Sequence, residues 1–255
     1  MKKIYIHIGN FKTASTSLQN FIFINKKLFL KNNIEVLLEK NFGTTTNNMR
    51  LFKYFNNLDK SKIKNYFLKI SKKKDLLITS EYFSTFSYDT KKLIFLKKIL
   101  NKIGFRPIII FYYRCDDSYL YSFYAELMTH RGVIEIDNIF NFVDKIRKFG
   151  FYFNIRNRKY FLSLNYYFNN KKIMKNWKKI FKKDVYAIRF KKEKNGTLFY
   201  KFLNIIGVKK QKKFQVPFKS NQTRKIKFWN IKRLFYFLYL RKMQKVLFDK
   251  SDLEI

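Results

Sequence analysis

Lys12, Thr13, Ala14, Ser15, Thr16 and Ser17 follow Gly9 in the stretch Ile4-Tyr5-Ile6-His7-Ile8-Gly9-Asn10-Phe11-Lys12-Thr13-Ala14-Ser15-Thr16-Ser17-Leu18, and together they can cradle an anion. The hydroxyls stand just ahead of Leu18, Phe21, Ile22 and Leu28, which recur at helical spacing, so they sit at a helix N-terminus beside its first free N–H groups. Such an end attracts phosphate, because those N–H groups point outward and the helix dipole favours negative charge. Lys12 adds a cation that reaches the same anion from the loop. The plain alternative is a strand-turn-helix junction whose Ser and Thr merely cap the helix. Two further charged residues end apolar runs: Glu81 closes Asp75-Leu76-Leu77-Ile78-Thr79-Ser80, and Arg114 closes Pro107-Ile108-Ile109-Ile110-Phe111-Tyr112-Tyr113.

These groups need elements to hold them. Four of the five residues from Ile4 to Ile8 are bulky and apolar or aromatic without alternation, which predicts a parallel strand covered on both faces. Gly9 then lets the backbone turn into a helix expected to run to about Asn32. A short strand over 34–38, a polar loop over 41–48, and Lys-rich helices over 49–56 and 60–71 follow. Strands over 75–81 and 107–113 flank a helix over 91–102, and Pro107 is tolerated at a strand start. Asp116 reads as the N-cap of a helix carrying Tyr119, Leu120, Ser122, Phe123, Leu127 and Met128, with Gly132 as its left-handed cap. His130 lies near that helix end, where it either faces a ligand or answers the dipole. Helices over 138–149 and 160–168, one marked by Trp177 and Phe181, a strand over 185–190 and a helix over 198–206 ending at Gly207 complete the pattern. The order predicts an α/β fold with a central parallel β-sheet flanked by helices. In such open sheets ligands sit beyond the carboxyl ends of the strands, so Glu81 and the loop after the first strand share a crevice if their strands are neighbours.

The 255 residues are 47% apolar, ample for a core, and we expect one domain over 1–255 with a basic helical extension from about 211, including a helix over 225–248. The basic face of that helix suits solvation in a docking helix better than a membrane-surface role. Fifty-six Lys and Arg against 17 Asp and Glu leave a net charge of +39. That excess suits polyanionic partners, but the joint surplus of Lys, Asn, Ile, Phe and Tyr is also what an A/T-rich coding sequence produces. Cys115 stands alone, which excludes an intramolecular disulfide and a cysteine-based zinc site. No signal region and no long uncharged apolar run is present, so a cytoplasmic protein without a transmembrane segment is expected.

The first loop departs from a Walker P-loop, in which Gly-Lys-Ser/Thr closes the turn, since here Lys12 comes three residues after Gly9 with the hydroxyls beyond it. It resembles the 5'-phosphosulfate loop of the sulfotransferase family, in particular the bacterial carbohydrate-type members. His7-Ile8-Gly9, Lys12-Thr13 and Leu18-Gln19 stand in register with that family's pattern, and Ala14 departs from it where Gly is usual. Arg114 and Ser122, eight residues apart and about 100 residues further on, match the family's Arg and Ser for the 3'-phosphate. The resemblance implies a P-loop NTPase-like sulfotransferase fold and 3'-phosphoadenosine 5'-phosphosulfate as donor. Lys12 through Ser17 would hold its 5'-phosphate, with Lys12 at the leaving oxygen and no metal required. It further implies Glu81 as the base, and a hydroxyl or amine of a carbohydrate as acceptor, with His130 a candidate acceptor contact. Taken without the resemblance, Arg114 could pair with Asp116 or Asp117, Ser122 could be an ordinary helix-surface residue, and Glu81 could pair with Lys12 or Arg114 to order the site.

Two other function classes compete. A nucleotide kinase shares the strand-loop-helix cradle but places its Lys and Ser/Thr together at the helix start and normally ends a second strand in a metal-binding Asp. A non-catalytic basic protein would bind nucleic acid by charge alone, with salt-dependent, sequence-blind affinity; no specific nucleic-acid partner is expected.

Overall fold

The computed structural model describes residues 1–10, 13–37, 39, 47–68, 70, 73–114, 170–190, 197–209 and 213–217, and the backbone of 151–155 and 158–162. The chain forms two compact units, residues 1–114 with 174–221 and residues 115–173 with 222–255.

The first unit is built on an all-parallel sheet. Its strands are β1 (Lys2–Gly9), β2 (Ile34–Val36), β3 (Asp75–Thr79), β4 (Phe105–Tyr113) and, last in the chain, β7 (Val185–Arg189), in the spatial order β2-β3-β1-β4-β7. Tyr5 pairs with Leu77 on one side and Ile108 on the other, so β1 lies at the centre. The parallel sheet flanked by helices is the architecture expected from the unbroken apolar runs. Those runs are unbroken because both faces are covered. On one face α1 (Ser15–Ile24), α2 (Lys26–Lys31) and α7 (Thr197–Ile205) pack on Tyr5, Leu77, Ile108, Ile110, Tyr112 and Ile188. Successive strand residues alternate sides, so Ile4, Ile6, Ile8, Ile109 and Phe111 point to the other face, and all are fully buried. The remaining elements are α3 (Met49–Asn56), α4 (Lys60–Leu68), a 3-10 helix over Glu81–Tyr88, α5 (Thr90–Ile103) and α6 (Asn170–Phe181). They supply Phe52, Phe55, Phe67, Phe83, Phe86, Leu96 and Trp177 to the core.

Several boundaries differ from the sequence expectation for identifiable reasons. The first helix breaks at Asn25, whose Nδ2 donates to both Phe21 O and Gln215 O at 2.8 Å while its Oδ1 accepts the Gln215 N–H at 2.9 Å. Phe214 is thereby held in the core, 5.8 Å from the rings of both Phe21 and Phe29. Phe21 also stacks on Phe199 at 4.6 Å, and an aromatic side chain fully buried this way contributes about 1.5–3 kcal/mol. Strand β4 starts before Pro107. The Asn10 N–H donates to Tyr112 O and the Phe190 N–H to Tyr113 O, so odd residues of β4 face β7, and at Pro107 β7 has not yet begun. The missing N–H costs nothing there.

In the second unit β5 (Phe151–Ile155) and β6 (Arg158–Leu162) form an antiparallel hairpin, with Tyr152 opposite Phe161 and Phe153 opposite Tyr160. This corrects the helix expected over 160–168 at its first residues, 160–162, while 163–168 lie outside the described residues. The aromatic content of 151–153 and 160–161 favours strands, and these residues stand opposite one another in register. The helices expected from Asp116, over 138–149 and over 225–248, and the cap at Gly132, lie outside the described residues.

Candidate anion site at the carboxyl end of the sheet

Gly9 ends β1 against Tyr112 of β4, and the next residue, Asn10, still donates to Tyr112 O at 3.2 Å. The chain then folds back on itself. Thr13 is fully buried and its hydroxyl donates to Asn10 O at 2.6 Å. A β-carbon on Gly9 would stand 2.9 Å from Thr13 Oγ1 and 3.3 Å from both Ser15 Oγ and Tyr112 Cβ. Only glycine fits that close approach.

Ala14 is the N-cap of α1 and lies in the left-handed region, at φ 64° and ψ 23°. The position where the sulfotransferase loop usually has glycine is thus one that favours glycine, at an expected strain of about 1 kcal/mol for alanine. A left-handed residue followed by right-handed Ser15 gathers successive N–H groups into a concave, anion-accepting turn. Alanine offers no side-chain oxygen to cap them, and the first turn of α1 carries no acid. Among the described residues no side chain caps this end, which suits an anion at its first N–H groups. Ser15 is buried, and its Oγ has no hydrogen-bond partner among the described residues. A buried hydroxyl without a partner is costly and suits a bound group that supplies one. Thr16 and Ser17 are half-buried in the same turn. Lys12 lies outside the described residues.

The neighbouring strand ends bring the other candidates to the same edge. β3 pairs with β1 through His7 and Thr79, so the strand carrying Glu81 is the immediate neighbour of the cradle. Glu81 is half-buried and opens the 3-10 helix, with the Ser84 hydroxyl donating to its carbonyl at 2.7 Å. On the other side β4 leads to Arg114, also half-buried, whose guanidinium carbon lies 5.2 Å from the ring centre of Phe190, just past β7. A cation over an aromatic face is attracted by the ring quadrupole. Gly9, Ala14, Ser15, Glu81 and Arg114 thus all lie on the carboxyl edge. Ser122 and His130 lie outside the described residues.

The sequence assigns no site role to two residues here, although His7 belongs to the His7-Ile8-Gly9 pattern. Phe190 reads there as the tail of a strand. His7 reads as a strand residue, yet it is fully buried, with Nδ1 2.8 Å from Thr79 Oγ1 and its ring edge-on to Tyr112 at 4.8 Å. Burial pushes the imidazole down to about 3, so the ring is neutral. Burial likewise raises the Tyr112 phenol well above its usual range, and it stays protonated and donates to Leu198 O at 3.2 Å.

No protein-family model matches the chain, and no curated protein matches it in sequence. Among solved structures it is similar to a sulfotransferase from Alicyclobacillus acidocaldarius, with 11% identity over 97% of this chain and 96% of that one and a TM-score of 0.47. Among the described residues no helix is long and apolar enough to cross a membrane.

Proposed function

We propose that this chain is a group-transfer enzyme of the sulfotransferase type. More particularly, its donor is 3'-phosphoadenosine 5'-phosphosulfate and its acceptor a hydroxyl or amine, most simply on a carbohydrate. The observation that carries this reading is the start of α1 without a side-chain cap and the buried Ser15 hydroxyl without a partner among the described residues, flanked by a carboxylate and a guanidinium just past the ends of the adjacent strands. The order of these groups in the chain, with His7-Ile8-Gly9, Lys12-Thr13 and Leu18-Gln19 around the loop, supports the same reading.

The residues present fit such a donor. Gly9 leaves room for the loop to close, and the N–H groups of the first turn with Ser15, Thr16 and Ser17 suit a 5'-phosphate. When bound, the donor supplies a sulfuryl group on a phosphate oxygen. Lys12 neutralises charge at that oxygen, Arg114 and Ser122 grip the 3'-phosphate, and the Glu81 carboxylate takes the acceptor's proton. Holding donor and acceptor in line is the larger part of the work, since the transfer itself needs little covalent help from the protein.

Calorimetric titration with 3'-phosphoadenosine 5'-phosphate, with ATP and AMP as competitors at two salt concentrations, tests the reading. One-to-one binding that requires the 3'-phosphate supports it. Weak binding that tracks salt and ignores the 3'-phosphate means that the +39 charge alone draws anions, and the sulfotransferase reading falls.

A further inference from the structure

We propose that His7 is a positioning residue: together with Asn48 it grips Thr79, the last residue of β3, from both sides and so fixes the point from which Glu81 starts. This rests on the sulfotransferase reading for the role of Glu81, although the grip itself does not.

On the side away from β1, Asn48 stands in for the strand residue that β2 no longer supplies. Its N–H donates to Thr79 O, its Oδ1 accepts the Thr79 N–H and its Nδ2 donates to Leu37 O, all at 2.8 Å. On the β1 side, His7 Nδ1 meets Thr79 Oγ1 at 2.8 Å, and His7 O accepts the Ser80 N–H at 3.1 Å. The ladder between β1 and β3 ends at His7 and Thr79, and beyond it the Ser80 N–H bond to His7 O, the Phe83 N–H bond to Ser80 O and the Ser84 hydroxyl bond to Glu81 O carry the chain onward. Asn48, His7, Thr79 and Ser80 are all buried at 1% exposure or less. His7, on the central strand, is itself enclosed and packed edge-on against Tyr112. An apolar side chain would fill its place without the cost of burying an imidazole. What the imidazole adds is the bond to Thr79.

The test uses the full chain with three variants: His7→Leu, Thr79→Val and His7→Asn, the last placing an amide near the position of Nδ1. Three quantities are read: affinity for 3'-phosphoadenosine 5'-phosphate, turnover as its release from the phosphosulfate donor with water as acceptor, and amide exchange at Ser80. His7→Leu and Thr79→Val are expected to lower turnover by about tenfold or more, as a misplaced base does, with nucleotide affinity within about threefold. Ser80 exchange accelerates in both, and His7→Asn restores turnover and protection to near those of the native chain. If His7→Leu fails to fold, Thr79→Val removes the same bond from the other end. Native turnover in either folded variant, or a loss of nucleotide affinity equal to the loss of turnover, overturns the proposal. If the native chain neither binds the nucleotide nor cleaves the donor, the sulfotransferase reading fails separately. The grip is then decided by Ser80 exchange, and unchanged protection in Thr79→Val refutes it.

Discussion

The Thr13 hydroxyl stands 2.9 Å from where a β-carbon on Gly9 would be, and it is tied there by its bond to Asn10 O. The two residues close the anion loop against each other. Gly9→Ala is therefore expected to push Thr13 out of its place, with a loss of about 1–3 kcal/mol in stability and at least tenfold in nucleotide affinity. Urea unfolding and the nucleotide titration read both, and an unchanged variant means that the loop gives way more easily than its contacts imply.

Ala14 gives the opposite expectation. Glycine relieves the left-handed strain while adding freedom to the unfolded chain, so Ala14→Gly should range from neutral to about 1 kcal/mol more stable. Ala14→Val adds a branched side chain in the same conformation and should lose more than about 1 kcal/mol. Urea midpoints that rank valine above glycine would contradict the backbone geometry.

His7 makes stability depend on pH. Its folded value of about 3 lies below the ordinary 6.5, so between those limits the unfolded chain binds the extra proton. The His7 contribution is complete above about 6.5 and falls by up to about 1.4 kcal/mol per pH unit on acidification, until the folded form also protonates. His7→Asn removes this slope. Urea midpoints of the two proteins at pH 7, 5.5 and 4.5 should diverge, and parallel curves would mean that the ring is hydrated.

Arg114→Ala should weaken binding of 3'-phosphoadenosine 5'-phosphate far more than binding of AMP. Phe190→Ala leaves the cation but removes its platform, a contact of about 0.5–2 kcal/mol, and should cost about threefold to thirtyfold for the same nucleotide only. Equal losses for both nucleotides would take Arg114 away from the 3'-phosphate.

Glu81→Gln is expected to keep nucleotide affinity while turnover falls by about 100-fold or more. Steady-state release of 3'-phosphoadenosine 5'-phosphate measures it, and full activity removes the carboxylate from the base role.

What could be read from the sequence was whatever local chemistry enforces. β1 and β4 are legible because a central parallel strand must be apolar on both sides, and the limits of α5 because Asp89 accepts the Lys91 and Lys92 N–H groups while Gly104 ends it at φ 101°. The adjacency of β1 and β3, on which a shared crevice depended, holds in the sheet. The break at Asn25 left no local trace, since the group that satisfies it comes from Gln215. The 3-10 helix was missed because its hydroxyls, Ser84, Thr85 and Ser87, fold back onto carbonyls three residues earlier, a competition that no hydrophobic period reports. The roles of His7 and Phe190 could not be read for a related reason. Their partners, Thr79 and Arg114, are remote in sequence and become neighbours only once the strands align.

The pairing of Asn25 with Gln215 spans 190 residues and bears on how the protein is made. The junction between α1 and α2 must wait for a partner made 190 residues later, roughly 10–40 seconds at ordinary rates of synthesis. Until then the helix that begins at the anion loop has an open polar notch and lacks Phe214 from its core. The nascent chain can thus pair β1 with β3 and β4 while the helix bearing the cradle locks only once Gln215 has emerged.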